Sequence, residues 1–116
     1  MDLSPQRHGN TMVVSPSGRV DQANAETFKG ALAPHLERCS KDGDRLVLDL
    51  SKLEYISSAG LRILMLAAKQ TKAQGGKLVL ANLQPIVKEI FEISRFTMVF
   101  DIAPTLADAL ARASAS

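Results

Sequence analysis

Apolar and polar positions follow two rhythms along this chain, one of short dense runs and one of helical spacing, and the two alternate. A weak strand candidate over Met1 to His8, with Pro5 favouring an edge position, is followed by Gly9-Asn10 and the run Thr11-Met12-Val13-Val14. A turn dipeptide before a β-branched run predicts an N-terminal β-hairpin. Pro16 and Gly18 interrupt the second strand, which is expected to resume through Arg19 and Val20, with a bulge near Pro16 and a helix cap at Asp21. From Ala23 to Arg38 the residues Ala25, Phe28, Leu32 and Leu36 recur at helical spacing, and Pro34 predicts a kink or a division into two helices. After the polar turn Lys41-Asp42-Gly43-Asp44, the run Leu46-Val47-Leu48-Asp49-Leu50 reads as a strand buried on both faces.

The stretch Ser51 to Ser57 reads as a loop, and a second helix is expected from about Ser58 to Gln74, stopped by Gly75-Gly76. Lys77 to Ala81 predicts another strand, Pro85 the first turn of a third helix through about Ser94, and Val99-Phe100 a last short strand. Thr105 is placed to cap a final helix with Asp108 near its positive end. Strands alternating with helices predict an α/β fold: a mixed, mostly parallel sheet of four to five strands, about four helices and the opening hairpin. The second helix is apolar around most of its circumference, leaving chiefly Arg62, Lys69, Gln70 and Lys72 polar. It needs cover on more than one side. Helix three, with Ile86, Val87, Ile90, Phe91 and Ile93, is the expected cover, and a docked partner is the alternative for part of that face.

Composition and charge mainly exclude. At 116 residues the chain has room for a single domain, residues 1–116 with a core of about 10–113. Aromatic residues make up 4% and Trp is absent, so the core must be aliphatic. The formal charge of +2 is carried by scattered Lys and Arg, which is no nucleic-acid footprint. The single Cys39 cannot pair within the chain and is expected as a buried or half-buried thiol, which fits a reducing cytoplasm. The longest apolar run, Ile63 to Ala68, is far too short to span a bilayer, so no membrane insertion and no processing are expected.

Catalytic chemistry is equally sparse. His8 and His35 lie in unrelated contexts without partners at metal-ligand or triad spacing, and the glycines form no phosphate-cradling loop. No enzyme, metal or cofactor is expected. The informative segment is Asp49-Leu50-Ser51-Lys52-Leu53-Glu54-Tyr55-Ile56-Ser57-Ser58-Ala59-Gly60-Leu61, which carries the chain from a buried strand to a helix entrance bearing two hydroxyls. Free N–H groups at a helix start tolerate negative charge, so a phosphate on Ser58 would be locally accommodated while repelling a partner docked there. Ser57 and Ser58 as plain helix caps is the alternative.

The runs Leu48-Asp49-Leu50-Ser51 and Tyr55-Ile56-Ser57-Ser58-Ala59-Gly60-Leu61 resemble the signature of STAS domains, the family of anti-sigma factor antagonists and of the cytoplasmic domains of sulfate transporters. Gly18-Arg19-Val20-Asp21 resembles a second landmark of that family, and the similarity covers nearly the whole chain. The resemblance implies a partner switch. In that scheme the unphosphorylated chain binds a serine-kinase-type anti-sigma factor, phosphorylation by that kinase breaks the complex, and a PP2C-type phosphatase restores it. Carried over by position, Ser58 matches the phosphoacceptor, with Ser57 as the alternative. Asp21, Ser57, Ser58, Ala59, Gly60, Leu61 and Arg62 form the implied partner-binding corner. Asp21 reads equally as a cap, and Asp49 as a structural strand end. Ser57 stands where an acidic residue is frequent in the family, and Ala59 where a second Ser or Thr is common. The implied protein is a monomer or weak dimer. Two rival readings remain: a free-standing STAS subunit of a transport ATPase or signalling assembly without a phosphorylation cycle, and a small-ligand or nucleotide sensor.

Overall fold

The computed structural model describes residues 1–115. Strands β1 (Gln6–His8) and β2 (Thr11–Val14) pair antiparallel around Gly9-Asn10, giving the expected hairpin. The other strands of the main sheet are β4 (Arg45–Asp49), β6 (Leu78–Ala81) and β7 (Asp101–Ala103), in the order β1-β2-β4-β6-β7 with β2 to β7 parallel. A separate pair is formed by β3 (Gly18–Val20) and β5 (Leu53–Ile56), also parallel. The helices are α1 (Ala25–Arg38), α2 (Ser58–Ala73), α3 (Pro85–Ile93) and α4 (Leu106–Ser114).

Alternation along each strand divides the core in two. Val14, Leu46, Leu48 and Leu80 point to one face and pack with Phe28 and Leu32 of α1, Leu61 and Leu64 of α2, and Val87 and Phe91 of α3. Val13, Val47 and Val79, aligned across three strands, point to the other face with Ala81 and Ala103, where α4 covers them with Ala109 and Ala113. Small side chains on both sides let that single helix lie close to the sheet. The opposite face is built from Leu, Ile and Phe and carries three helices.

Several expectations are corrected. Arg19 and Val20 do not continue β2 but form β3, paired with β5, and the register irregularity lies at Gly18/Arg19 rather than Pro16. Gly18 has φ +78°, so the chain turns out of the main sheet there. The second half of the expected loop, Leu53 to Ile56, is the partner strand. Pro34 does not divide α1. Gly30, whose carbonyl loses its donor to the proline, and Pro34 are both exposed, so that carbonyl faces solvent without cost to packing. The last strand begins at Asp101 rather than Val99. The expected cover of α2 by helix three is also corrected: α3 packs chiefly on β5, with Val87 and Phe91 buried and Ile86 and Ile93 exposed, while α2 packs beside α1.

Candidate functional site

The β3–β5 pair determines where the site lies. Val20 and Ile56 are register partners in a parallel ladder, so the two strands end side by side and the residues after them, Asp21 and Ser57, emerge together. Ser57 N donates to Val20 O at 2.8 Å, the last bond of that ladder. Asp21 is half-buried. Its Oδ1 accepts from the backbone N–H groups of Ala23 (3.0 Å) and Asn24 (3.1 Å), and Asn24 Oδ1 accepts in return from Asp21 N at 2.8 Å. These bonds form a turn ahead of α1, whose N-cap is Asn24 rather than Asp21.

The two serines are in different situations. Ser57 is the N-cap of α2: it is extended, half-buried, and its Oγ accepts from Gly60 N at 3.3 Å. Ser58 is the first helical residue and is exposed, and its hydroxyl makes no hydrogen bond to any described residue. The cap is satisfied by one serine while its neighbour is left free.

Gly60 is buried, and an added Cβ would stand 2.7 Å from Ile56 Cγ1 and 2.8 Å from Val20 Cγ1. The first turn of α2 therefore rests directly on the ends of β3 and β5, which a side chain would prevent. Ala59 is half-buried against the core and Leu61 is buried. Of the seven residues assigned to the corner from the sequence, Ser58 and Arg62 are exposed, while Gly60 and Leu61 act from beneath by holding the turn in place.

Beside Ser58 is a depression of about 270 Å³ lined by Ser58, Leu61, Arg62, Met65, Ser94 and Phe96. Its far wall is the connection between α3 and β7. Phe96 packs edge-on to Phe100 at 6.3 Å between ring centroids, and Phe100 lies 5.7 Å from Phe91. Arg95, at φ +60°, ends α3 in a left-handed conformation that turns the chain toward α2. Sequence reasoning missed this wall, because Ser94 and Phe96 approach Ser58 only through tertiary packing. Asp49 closes the end of β4, its Oδ1 accepting from Ser51 N at 3.1 Å and Asn82 Nδ2 at 3.3 Å, in a strand-end role. Arg19 lies over the Tyr55 ring at 4.4 Å and covers the outside of the small sheet.

No group of three or more His, Cys, Asp or Glu able to hold a metal occurs among the described residues, nor is any helix among them long and apolar enough to cross a membrane. A larger cleft of about 610 Å³ runs beside β7, lined by Lys88 and by Asp101 and Arg112, the last two paired with each other at 2.7 Å. Burial pushes the Cys39 thiol above its ordinary value, against the weaker effect of its hydrogen bond to Lys77 O. It is a core group remote from nucleophilic use.

The sequence profile of the STAS domain matches residues 2–109. The chain belongs to the STAS domain family. Among its relatives, BtrV of Bordetella bronchiseptica, named as a candidate anti-sigma factor antagonist, is 42% identical over 103 residues, covering 89% of this chain and 86% of BtrV. The anti-sigma-B factor antagonist of Bacillus subtilis is 27% identical over 103 residues, 89% of this chain and 91% of that protein. A crystal structure of a candidate anti-sigma factor antagonist from Thermotoga maritima superposes with a TM-score of 0.86 at 19% identity, covering 97% of this chain and 95% of that one. The STAS fold expected from the residues around Ser58 and Asp21 is thus shown.

Proposed function

We propose that this chain is an anti-sigma factor antagonist in a partner-switching pathway, with Ser58 as the switched group. The observation that carries the reading is the division of labour between the serines: Ser57 caps α2, and Ser58 presents an unengaged hydroxyl on the surface of the first turn. The name given to BtrV, over 86% of its own length, supports the same role. In the unphosphorylated state the corner of Asp21, Ser57 to Leu61 and Arg62 docks on a serine-kinase-type anti-sigma factor and displaces its sigma factor. The kinase then transfers the γ-phosphoryl group of a nucleoside triphosphate. The Ser58 Oγ–P bond forms as the bond from that phosphorus to the diphosphate leaving group breaks, and a base on the kinase takes the hydroxyl proton. A PP2C-type phosphatase reverses the state by hydrolysis. The chain is a substrate and not a catalyst.

The modification acts by electrostatics and bulk. About −1.5 to −2 charges enter a surface that was neutral at that atom, and an interface packed against a hydroxyl has no room for a solvated dianion. Residues 1–116 act in this reading as one STAS domain, with a core of about 10–113, as a monomer or weak dimer in the cytoplasm. The test is phosphosite mapping by mass spectrometry after incubation with a serine-kinase-type anti-sigma factor and ATP. A single phosphate on Ser58, absent from Ser58→Ala, is the expected result; a chain that stays unmodified, or is modified elsewhere, contradicts it.

A further inference from the structure

Arg62 follows Ser58 by four residues on α2, and side chains at that spacing share a helix face. Both are exposed, and both line the depression that Ser94 and Phe96 close from the other side. The ion pairs among the described residues are Arg7–Asp44 and Arg112–Asp101, so Arg62 stands in neither. It is an uncommitted guanidinium on a rim otherwise made of hydroxyls and the apolar groups of Leu61, Met65 and Phe96.

We propose that Arg62 is an exchanged cation, available to a carboxylate of the docked anti-sigma factor while Ser58 is unmodified and captured by the phosphate once Ser58 carries one. The proposal rests on Ser58 being the acceptor. A guanidinium offers a planar fork of donors that fits a phosphate ester bidentately, and a charge-assisted pair between neighbours on one helix face needs no movement of the backbone. Phosphorylation then acts twice, by adding a repulsive dianion and by removing the charge that complemented the partner. The same geometry separates the two serines. Ser57 precedes the helix, is half-buried, and lies five residues from Arg62, which turns the two side chains well away from each other.

The test uses the full chain with phosphoserine installed at position 58 during translation, so that it needs no kinase. A ³¹P NMR titration reads the second ionisation of the phosphate. It is expected about half a unit lower in the parent than in Arg62→Gln, with Lys69→Gln, farther along α2, matching the parent. Coincident titrations of parent and Arg62→Gln overturn the capture. In binding assays with the anti-sigma factor, Arg62→Gln is expected to weaken the unphosphorylated complex about tenfold and to narrow the gap between the unphosphorylated and phosphorylated forms. An unchanged or widened gap overturns the exchange. Phosphate delivered by the kinase to Ser57 would overturn both the exchange and the reading of Ser58, whereas coincident ³¹P titrations overturn the exchange alone.

Discussion

Ser57 and Ser58 are neighbours of the same type, yet removing each hydroxyl has a different consequence. Ser57→Ala leaves Gly60 N without its side-chain acceptor and is expected to cost about 1 kcal/mol of stability in urea unfolding. Ser58→Ala removes an exposed group without a partner and is expected to stay within about 0.5 kcal/mol of the parent. A reversed order in those unfolding curves would mean that the cap and the free hydroxyl had been exchanged. Gly60 makes the sharper test of how the corner is built. Gly60→Ala would bring a methyl group within 3 Å of Ile56 and Val20, and overpacking of this kind is expected to cost about 1–3 kcal/mol. Unfolding of that variant at parent denaturant concentrations would show that α2 does not rest on the strand ends. The sequence alone leaves both serines as caps or acceptors, because cap geometry depends on φ, ψ and the position of Gly60 N. The order Ser-Ser-Ala-Gly places the pair at the helix entrance without saying which of them is the cap.

At the level of elements, what was legible followed local pattern. The hairpin at Gly9-Asn10, the buried run of β4, the stop at Gly75 and the Thr105 cap each carry their cause in a few adjacent residues. The β3–β5 pair does not. Arg19 and Val20 look like more of β2, and Glu54-Tyr55 breaks the apolar rhythm of β5, so the pair becomes visible only when distant segments meet. That small sheet positions the site, and for this reason the corner was readable as a motif but not as a geometry. The wall formed by Ser94 and Phe96 was hidden in the same way. The opening hairpin is tied to the sheet by Arg7, whose guanidinium bonds both Asp44 carboxylate oxygens at 3.0 Å. This pairing holds the Asp44 carboxyl below its ordinary value. A carboxyl that binds its proton less readily when folded stabilises the protein above its unfolded pKa, about 4. That contribution disappears as pH falls through the lower folded value. Arg7→Ala should therefore lower stability at neutral pH and flatten the acid limb of the stability–pH profile, its curve converging with the parent's below about pH 4. A parallel downward displacement at every pH would instead assign Arg7 a packing role.

For the whole molecule, the two faces of the sheet have separate tasks. One is covered by α4 alone through close Ala contacts, and the other carries α1, α2 and α3, with the entrance of α2 held at the rim by β3 and β5. The exposed apolar side chains Ile93, Met98 and Val99 cluster around the connection that walls the Ser58 depression. The proposed switch would combine the strand-end platform beneath Gly60, the free hydroxyl of Ser58 and the uncommitted Arg62 in one place. The central claim is tested most directly by calorimetric titration of the unphosphorylated and Ser58-phosphorylated chains against a serine-kinase-type anti-sigma factor, with Ser58→Ala and Ser58→Asp alongside. A loss of about 3 to 4 kcal/mol, roughly two to three orders of magnitude in affinity, is predicted for the phosphorylated chain, with Ser58→Asp weakened and Ser58→Ala binding as the parent does. Equal affinity of the two forms would contradict it.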